Sequence, residues 1–451
     1  MDSALNLVKG LNHYLWNYIL IFLLCGTGIF FSFKLKFVQV KKFGKAFKNT
    51  FGAISFGKKA GKDGMSSFQA LATAISAQVG TGNLAGAATA MASGGPGAIF
   101  WMWISAFFGM STIFAEATLA QVFKTKKDGE VTGGPAYYIS QGLHNKFLAG
   151  FFSISIIMAL GFIGNMVQAN SIGSAFKTAF NISPYIIGGI LAVLTAAIFI
   201  GGISRIASFA EKIVPVMALF YIIGSLVIIF MNYNQILPSL GMIFKGAFNP
   251  QAVGGGVVGV TIKQAVRYGV SRGLFSNEAG MGSTPHAHAV AKVDHPCDQG
   301  LVAIVGVFVD TFVILTLTAL VILTTGALDG KTTGISLTQK AFTAGMGNFG
   351  EKFIAISLFF FAFSTIIGWY FFGEANIKYL FGKKALPGYR VLVMFFVFIG
   401  CALKVDLVWE LADFFNGIMV IPNLIAIIAL SAIVKEKLKD YDDISKHVKT
   451  K

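Results

Sequence analysis

Ser76, Ala77, Gln78, Val79, Gly80, Thr81, Gly82 and Asn83 interrupt an apolar stretch that runs from Ser67 to Met91. Hydroxyl and amide side chains around two glycines offer donors and acceptors to a small polar solute or a hard cation, and glycine lets either approach the backbone itself. The stretch is about one bilayer of helix, so the interruption falls near the midplane. Backbone that leaves the helical ladder at that depth must line protein or water, because lipid satisfies neither its N–H nor its C=O groups. Such an unwound segment can form a site for a small zwitterion and its coupling ion. The plainer alternative is a glycine face packed on a neighbouring helix. A second interruption, Arg272 to Ser283, favours the first reading: Gly273, Gly280 and Gly282 stand there among Ser276, Asn277 and Glu278, inside the apolar segment Ala252 to Ala291.

The elements that must position these residues are membrane helices. Of 451 residues 55% are hydrophobic and 12% charged, about half the charge of a soluble chain, which points to a polytopic helical membrane protein. The net charge of +16 resides in loops between apolar spans, a topogenic pattern that argues against nucleic acid. Cys25, Cys297 and Cys401 are too few and too scattered for a disulfide framework or a metal cluster. The stretch Leu15 to Phe33 lacks the flanks of a cleaved signal and reads as a retained helix.

Eleven spans are expected: that first helix, then Ser67–Met91, Ala98–Val122, Phe147–Phe176, Tyr185–Gly202, Phe209–Met231, Ala252–Ala291, Leu301–Thr325, Phe353–Phe372, Tyr389–Leu403 and Leu407–Val434. Lysines from Lys34 to Lys62, Lys124 to Lys127, Lys378 to Lys384 and Lys435 to Lys451 all fall on one side, which places the N-terminus outside and the C-terminus in the cytoplasm of a plasma-membrane protein. Lys34 to Lys62, with phenylalanines interleaved, reads as an interfacial amphipathic stretch or a solvated loop. The ten later spans divide five and five, and an odd group repeated in sequence is inverted in the membrane. The organisation expected is therefore an extra helix with its basic loop (1–66), a first repeat (67–231), an external connection (232–251), a second, inverted repeat (252–434) and a basic tail (435–451), all α-helical.

Gly94 to Gly109 reads GGPGAIFWMWISAFFG, Gln78 to Gly86 reads QVGTGNLAG and Gly273 to Ser283 reads GLFSNEAGMGS. These stretches resemble the alanine/glycine:cation symporter family over about residues 60 to 430, the first of them being that family's signature. The resemblance implies uptake of alanine or glycine driven by sodium, with protons in some relatives, and a leucine-transporter-type core of ten helices preceded here by one extra.

For an amino-acid substrate, the amides of Thr81, Gly82 and Asn83 at the start of the second half-helix would take the carboxylate, aided by the helix dipole. The carbonyls of Phe275 and Ser276 and the side chains of Ser276 and Asn277 would take the ammonium. Gln78 and Asn83 suit either end, an ion, or plain helix–helix hydrogen bonds. Trp369 would wall the pocket or merely pack. In the fold implied, a sodium site lies between the first and eighth core helices. That assigns it to Ser76, Ala77 and Val79 with Phe361, Ser364 and Thr365, although the two hydroxyls can also bond back within their own helix.

Asp310 reads as an ion-site neighbour, a proton carrier or a helix-fixing group, and Glu116 as a loop anchor. Lys263, Arg267 and Arg272 are expected to pair with buried carboxylates such as Asp310 and Glu278. His286, His288, His295 and Cys297 lack a tight metal-ligand spacing. No nucleophile–base pair marks an enzyme. No cofactor beyond the coupling ion and no obligate protein partner is indicated, only substrate, sodium and lipid. A channel is the rival reading, since broken glycine-rich helices also line pores.

Overall fold

A computed structural model describes residues 2–52, 64–249, 261–403 and 405–449. Lys58, Lys59 and Lys62 of the basic loop, residues 252–260 of the seventh expected span and Lys451 of the tail lie outside the described residues.

The described chain is helical apart from one hairpin. Helix α1 (2–34) leads to the short α2 (Val38–Lys41) and α3 (Phe43–Phe51). A helix in two halves follows, α4 (Ser67–Gln78) and α5 (82–94), then α6 (Gly97–Val122). Strands β1 (Thr125–Lys127) and β2 (Glu130–Thr132) pair antiparallel, with Lys126 opposite Val131. Next come α7 (Pro135–Gly142), α8 (Lys146–Phe180), α9 (Pro184–Phe199), α10 (Gly202–Met231) and α11 (Ile236–Phe248). The second broken helix is α12 (Ile262–Asn277) and α13 (Pro285–Ala289), followed by α14 (Pro296–Thr324) and α15 (Gly334–Met346). The last helices are α16 (Asn348–Phe381), α17 (Leu386–Gly400), α18 (Val405–Ala429) and α19 (Ser431–Lys449). Seven of these helices are long and apolar enough to cross a membrane.

The two leading half-helices start alike. Ser66 caps α4 and Thr261 caps α12, each accepting from the amide three residues on, while Gln69 and Gln264 return the bond to the cap amide. Each box satisfies two otherwise orphan groups, and losing such a cap costs about 1 kcal/mol. Both helices then stop in the middle. Val79 leaves helical geometry (φ −83, ψ 89) after Gln78. After Asn277 the chain passes through left-handed φ at Glu278, Gly280 and Gly282, which prevents the helix from continuing. Both interruptions expected from the sequence are therefore present as unwound backbone. The second resumes for only five residues, from Pro285. Its far end is tied to the chain ahead of α4: Met65 N–H donates to Val290 O at 2.9 Å and Lys292 N–H to Met65 O at 2.9 Å.

Burial separates a central post from a lipid-facing rim. Helix α16 buries 83% of its apolar window, whereas α10 buries 39% and exposes Val216, Leu219, Phe220 and Ile223. Exposed apolar side chains in such a row are stable against lipid and not against water.

Two regions take more structure than the sequence suggests. Within the described residues the basic loop forms two short helices, one side of which packs on the bundle while Lys36, Lys41 and Lys48 stay exposed. Phe43 and Phe47 set their rings 5.0 and 5.8 Å from Phe308 of α14, and Ala46 is fully buried. The basic tail is the helix α19, held beneath the molecule by Lys42 with Asp442, by Tyr441 Oη donating to Asp298 Oδ1 at 2.6 Å, and by His295 Nε2 lying 3.3 Å from Asp440 Oδ2.

Candidate substrate and ion site

The two interruptions meet, and α16 and α14 flank them. On α16, residues 364 and 365 follow the apolar run of Phe359 to Phe363, and their hydroxyls turn towards the unwound end of α4. Thr365 Oγ1 lies 2.9 Å from Ser76 O, 3.0 Å from Phe361 O and 3.4 Å from Val79 O. Ser364 Oγ lies 2.9 Å from Phe361 O and 3.3 Å from Ser76 O. Five oxygens thus share two hydroxyl protons, so acceptors outnumber donors. This set of hard oxygen ligands matches what a small hard cation takes up. Ala77 is not reached by these hydroxyls; it packs instead on Gly368, where an added Cβ would stand 3.0 Å from the Ala77 methyl. Close approach here also depends on Gly80, because a Cβ at that position would collide with Thr365 Oγ1.

The first interruption is tied to its surroundings by side chains. Gly80 N–H donates to Asn83 Oδ1 (3.0 Å) and Thr81 N–H to Gln168 Oε1 of α8 (3.1 Å). The Thr81 amide, expected to be free for a carboxylate, is therefore engaged in this conformation. The amides of Gly82 and Asn83, in the first turn of α5, have no intrahelical partner by geometry. Two side-chain atoms are buried without a partner, Gln78 Oε1 and Thr81 Oγ1. Buried polar atoms are almost always bonded, so each of these two is open to a further polar partner.

The second interruption supplies the other wall. Gln78 Nε2 bridges the two by donating to Asn277 O at 2.7 Å. The last-turn carbonyls of Phe275 and Ser276 are followed by no helical donor. The side chains of Ser276 and Asn277, expected to face an ammonium, are already bonded here. Ser276 Oγ lies 2.9 and 3.0 Å from the two Asp310 carboxylate oxygens. Asn277 Nδ2 donates to Thr311 Oγ1 (3.2 Å), and its Oδ1 accepts from Ala279 N–H (3.1 Å). Gly82 also packs against the second interruption: an added Cβ would meet Ser276 Cα at 2.8 Å and Ser276 Cβ at 3.0 Å. Position 82 is where the two interruptions touch.

Asp310 is the hub of this contact. It accepts from Asn83 Nδ2 at 2.6 Å and from Thr311 Oγ1 at 2.8 Å, and its own carbonyl takes a second Asn83 bond at 3.1 Å. Residues 308–315 are wound more loosely than an α-helix, as are 82–86. Such wide turns recur at functional sites. No Lys, Arg or His among the described residues forms a salt bridge with Asp310 or Glu278. The expected pairing with Arg272 is not made. Arg272 instead grips Asp413 of α18 with two bonds of 2.7 and 2.8 Å and stacks on Trp409. Both groups line a cavity of about 390 Å³ together with Lys9, Asn170 and Glu410. Lys263 and Arg267 lie over the rings of Tyr18 and Tyr268.

Glu116 anchors the non-helical stretch of the second interruption. Its carboxylate accepts from Gly280 N–H (3.0 Å), Gly282 N–H (2.9 Å) and Asn423 Nδ2 (2.6 Å). These two amides have no helical acceptor at the break, and the carboxylate supplies one. Gln168 and Asn423 were not singled out from the sequence; a lone buried polar residue in a span is their only trace there. Trp369 is fully buried, its indole N–H bonded to Glu278 and its ring 5.7 Å from Phe275 at 87°.

If Asn277 contacted substrate directly, Asn277→Ala would weaken alanine binding by about 1.5–3 kcal/mol, as for a hydrogen bond to a charged group. With its amide bonded as observed, we expect instead a loss of thermal stability with a smaller change in alanine affinity. Thermal unfolding and alanine titration of the variant, measured together, separate the two.

Comparison with known proteins identifies the family. The model of the sodium:alanine symporter family matches residues 1–451. The sodium/alanine symporter AgcS of Methanococcus maripaludis is 44% identical, covering 98% of this chain and 98% of that protein. A Bacillus subtilis protein named as a probable sodium/glutamine symporter, GlnT, is 43% identical over 98% of this chain and 91% of its own length. Among solved structures, MhsT in complex with L-phenylalanine superposes with a TM-score of 0.60 at 13% identity, covering 83% of this chain and 90% of that one, which shows a shared transporter fold. These relatives are transporters and not enzymes. On sequence and on fold together, this chain belongs to the sodium:alanine symporter family.

Proposed function

We propose that this protein is a secondary active symporter that takes up a small neutral amino acid, alanine or glycine, together with sodium across the plasma membrane by alternating access. The observation that carries this reading is the cluster of Ser76, Val79 and Phe361 carbonyls with the Ser364 and Thr365 hydroxyls, assembled from two helices at an unwound turn. Sodium is the cation suited to such neutral hard oxygens. The substrate carboxylate would face the Gly82 and Asn83 amides and the Thr81 hydroxyl, at the positive end of α5. Its ammonium would face the Phe275 and Ser276 carbonyls and Gln78 Oε1, with Trp369 and Phe275 as the wall.

In this reading α1 is the extra helix. The ten-helix core comprises α4/α5, α6, α8, α9 and α10, then, inverted, α12/α13, α14, α16, α17 and α18, giving eleven spans in all. The lysine-rich side carrying α3, the hairpin and α19 is cytoplasmic, and the N-terminus is outside. The repeats occupy 67–231 and 252–434, joined through 232–251.

Uptake of labelled alanine into proteoliposomes tests the reading. An inward sodium gradient should drive saturable accumulation, with glycine competing strongly and leucine and phenylalanine weakly. Uptake indifferent to sodium, or conductance without coupled solute, would overturn it, the latter in favour of a channel. One observation favours a second reading, proton coupling: Asp310 and Glu278 are buried carboxylates without a cationic partner among the described residues. Accumulation driven by a pH gradient in the absence of sodium would establish it.

A further inference from the structure

Glu278 is fully buried, stands in left-handed backbone (φ 59), and has no part in the substrate and ion contacts described above. Only a few per cent of non-glycine residues take that conformation, and Glu is not among the types enriched there. Its two oxygens serve two neutral donors: Ser283 Oγ at 2.6 Å and the Trp369 indole N–H. The indole is confined from other sides as well. Phe275 meets it edge-on at 5.7 Å, and on α8 an added Cβ at Gly164 would stand 2.6 Å from its Cζ3 and 2.8 Å from its Cε3. Trp369 lies one helical turn beyond Thr365, and residues four apart share a helix face. Phe275 precedes Ser276, which touches Gly82. The ring therefore stands beside the junction of the two interruptions, and one polar atom sets its orientation about that position.

We propose that Glu278 is a positioning residue whose carboxylate holds Trp369 as the wall that limits the size of the amino acid admitted. The proposal rests on the functional reading above and adds to it the group that determines specificity. A buried indole N–H that loses its acceptor turns to find another. The ring cannot yield towards α8, where the Gly164 backbone blocks it, so it swings out of the wall and releases volume to a longer side chain. A pocket that differs by one methylene discriminates by about 10- to 200-fold, so a displaced indole should erase a preference of that size.

The test measures sodium-driven alanine uptake in proteoliposomes with glutamine and leucine as competitors, for wild type, Glu278→Gln, Glu278→Ala, Trp369→Phe and the double variant Glu278→Ala/Trp369→Phe. Glu278→Ala should lower the preference for alanine over glutamine by at least about tenfold. Glu278→Gln keeps an acceptor oxygen and should retain most of the preference. Trp369→Phe, which lacks the N–H, should behave like Glu278→Ala, and combining the two should add nothing further. An unchanged preference in Glu278→Ala or Trp369→Phe, or additive losses in the double variant, would overturn the proposal. If Glu278→Ala does not fold, Trp369→Phe and Glu278→Gln still decide. Wild-type protein without sodium-dependent alanine uptake would refute the functional reading itself, whereas normal wild-type uptake with unaltered preferences in the variants would refute only the role of Glu278.

Discussion

Thr365→Val should weaken sodium binding by on the order of 10- to 100-fold, a loss seen even when outer groups of metal sites are removed. The substitution keeps the shape of the side chain and deletes the oxygen that lies within 3.4 Å of three carbonyls from two helices. Those carbonyls would be left with only the Ser364 hydroxyl among them. On the proposed reading, ion and substrate favour the same arrangement of the unwound turn, so alanine affinity at fixed sodium should fall as well, by linkage. High sodium should largely restore it. The measurement is alanine binding titrated at a series of sodium concentrations in wild type and variant. A loss that sodium cannot rescue would indicate a damaged fold, and superimposable curves would place the ion elsewhere.

Gly82→Ala should weaken alanine binding and transport by driving the two interruptions into each other. The new Cβ would stand 2.8 Å from Ser276 Cα and 3.0 Å from its Cβ, and the first of these is backbone, which cannot swing aside. Accommodating it costs about 1–3 kcal/mol of overpacking or forces the two interruptions apart. Separation would disturb Ser276 at Asp310, and with it the Asn83 bond that holds the start of α5. We expect alanine affinity to drop by about 5- to 150-fold, the equivalent of that cost if it is borne wholly by the liganded state. Because the clash is with Ser276, Ser276→Gly should partly relieve Gly82→Ala, by freeing the position of its Cβ and Oγ. Near-normal uptake by Gly82→Ala, or no relief in the double variant, would show that this contact does not set the geometry of the site.

Chemistry and pattern were enough to locate the two interruptions, since glycines and amides within apolar stretches cannot continue as lipid-facing helix. The capping boxes at Ser66/Gln69 and Thr261/Gln264, seen in the structure, are equally local, because a cap and its return bond lie three residues apart. Family membership lay in short contiguous stretches such as Gly94 to Gly109. All of these are local, and local sequence carries them. What joins the interruptions is not local. Thr365 finds Ser76 across 289 residues, Asn83 finds Asp310 across 227 and Asn423 finds Glu116 across 307. A hydrogen bond between helices has no period along the chain, and its partner is settled only when the helices have packed.

For the same reason the sequence alone misdirected Arg272. Charge suggested any buried carboxylate as its partner, but α12 turns that side chain towards α18, and the bidentate pair forms with Asp413. Gly82 was recognised as a place where a Cβ is unwelcome, while the backbone that excludes it, Ser276, belongs to the other half of the chain. Residue types along the chain determined where helix must fail and which groups are then left to bind. Tertiary packing decided which of those groups face one another, because each interruption is completed by donors and acceptors that only the folded arrangement brings within reach.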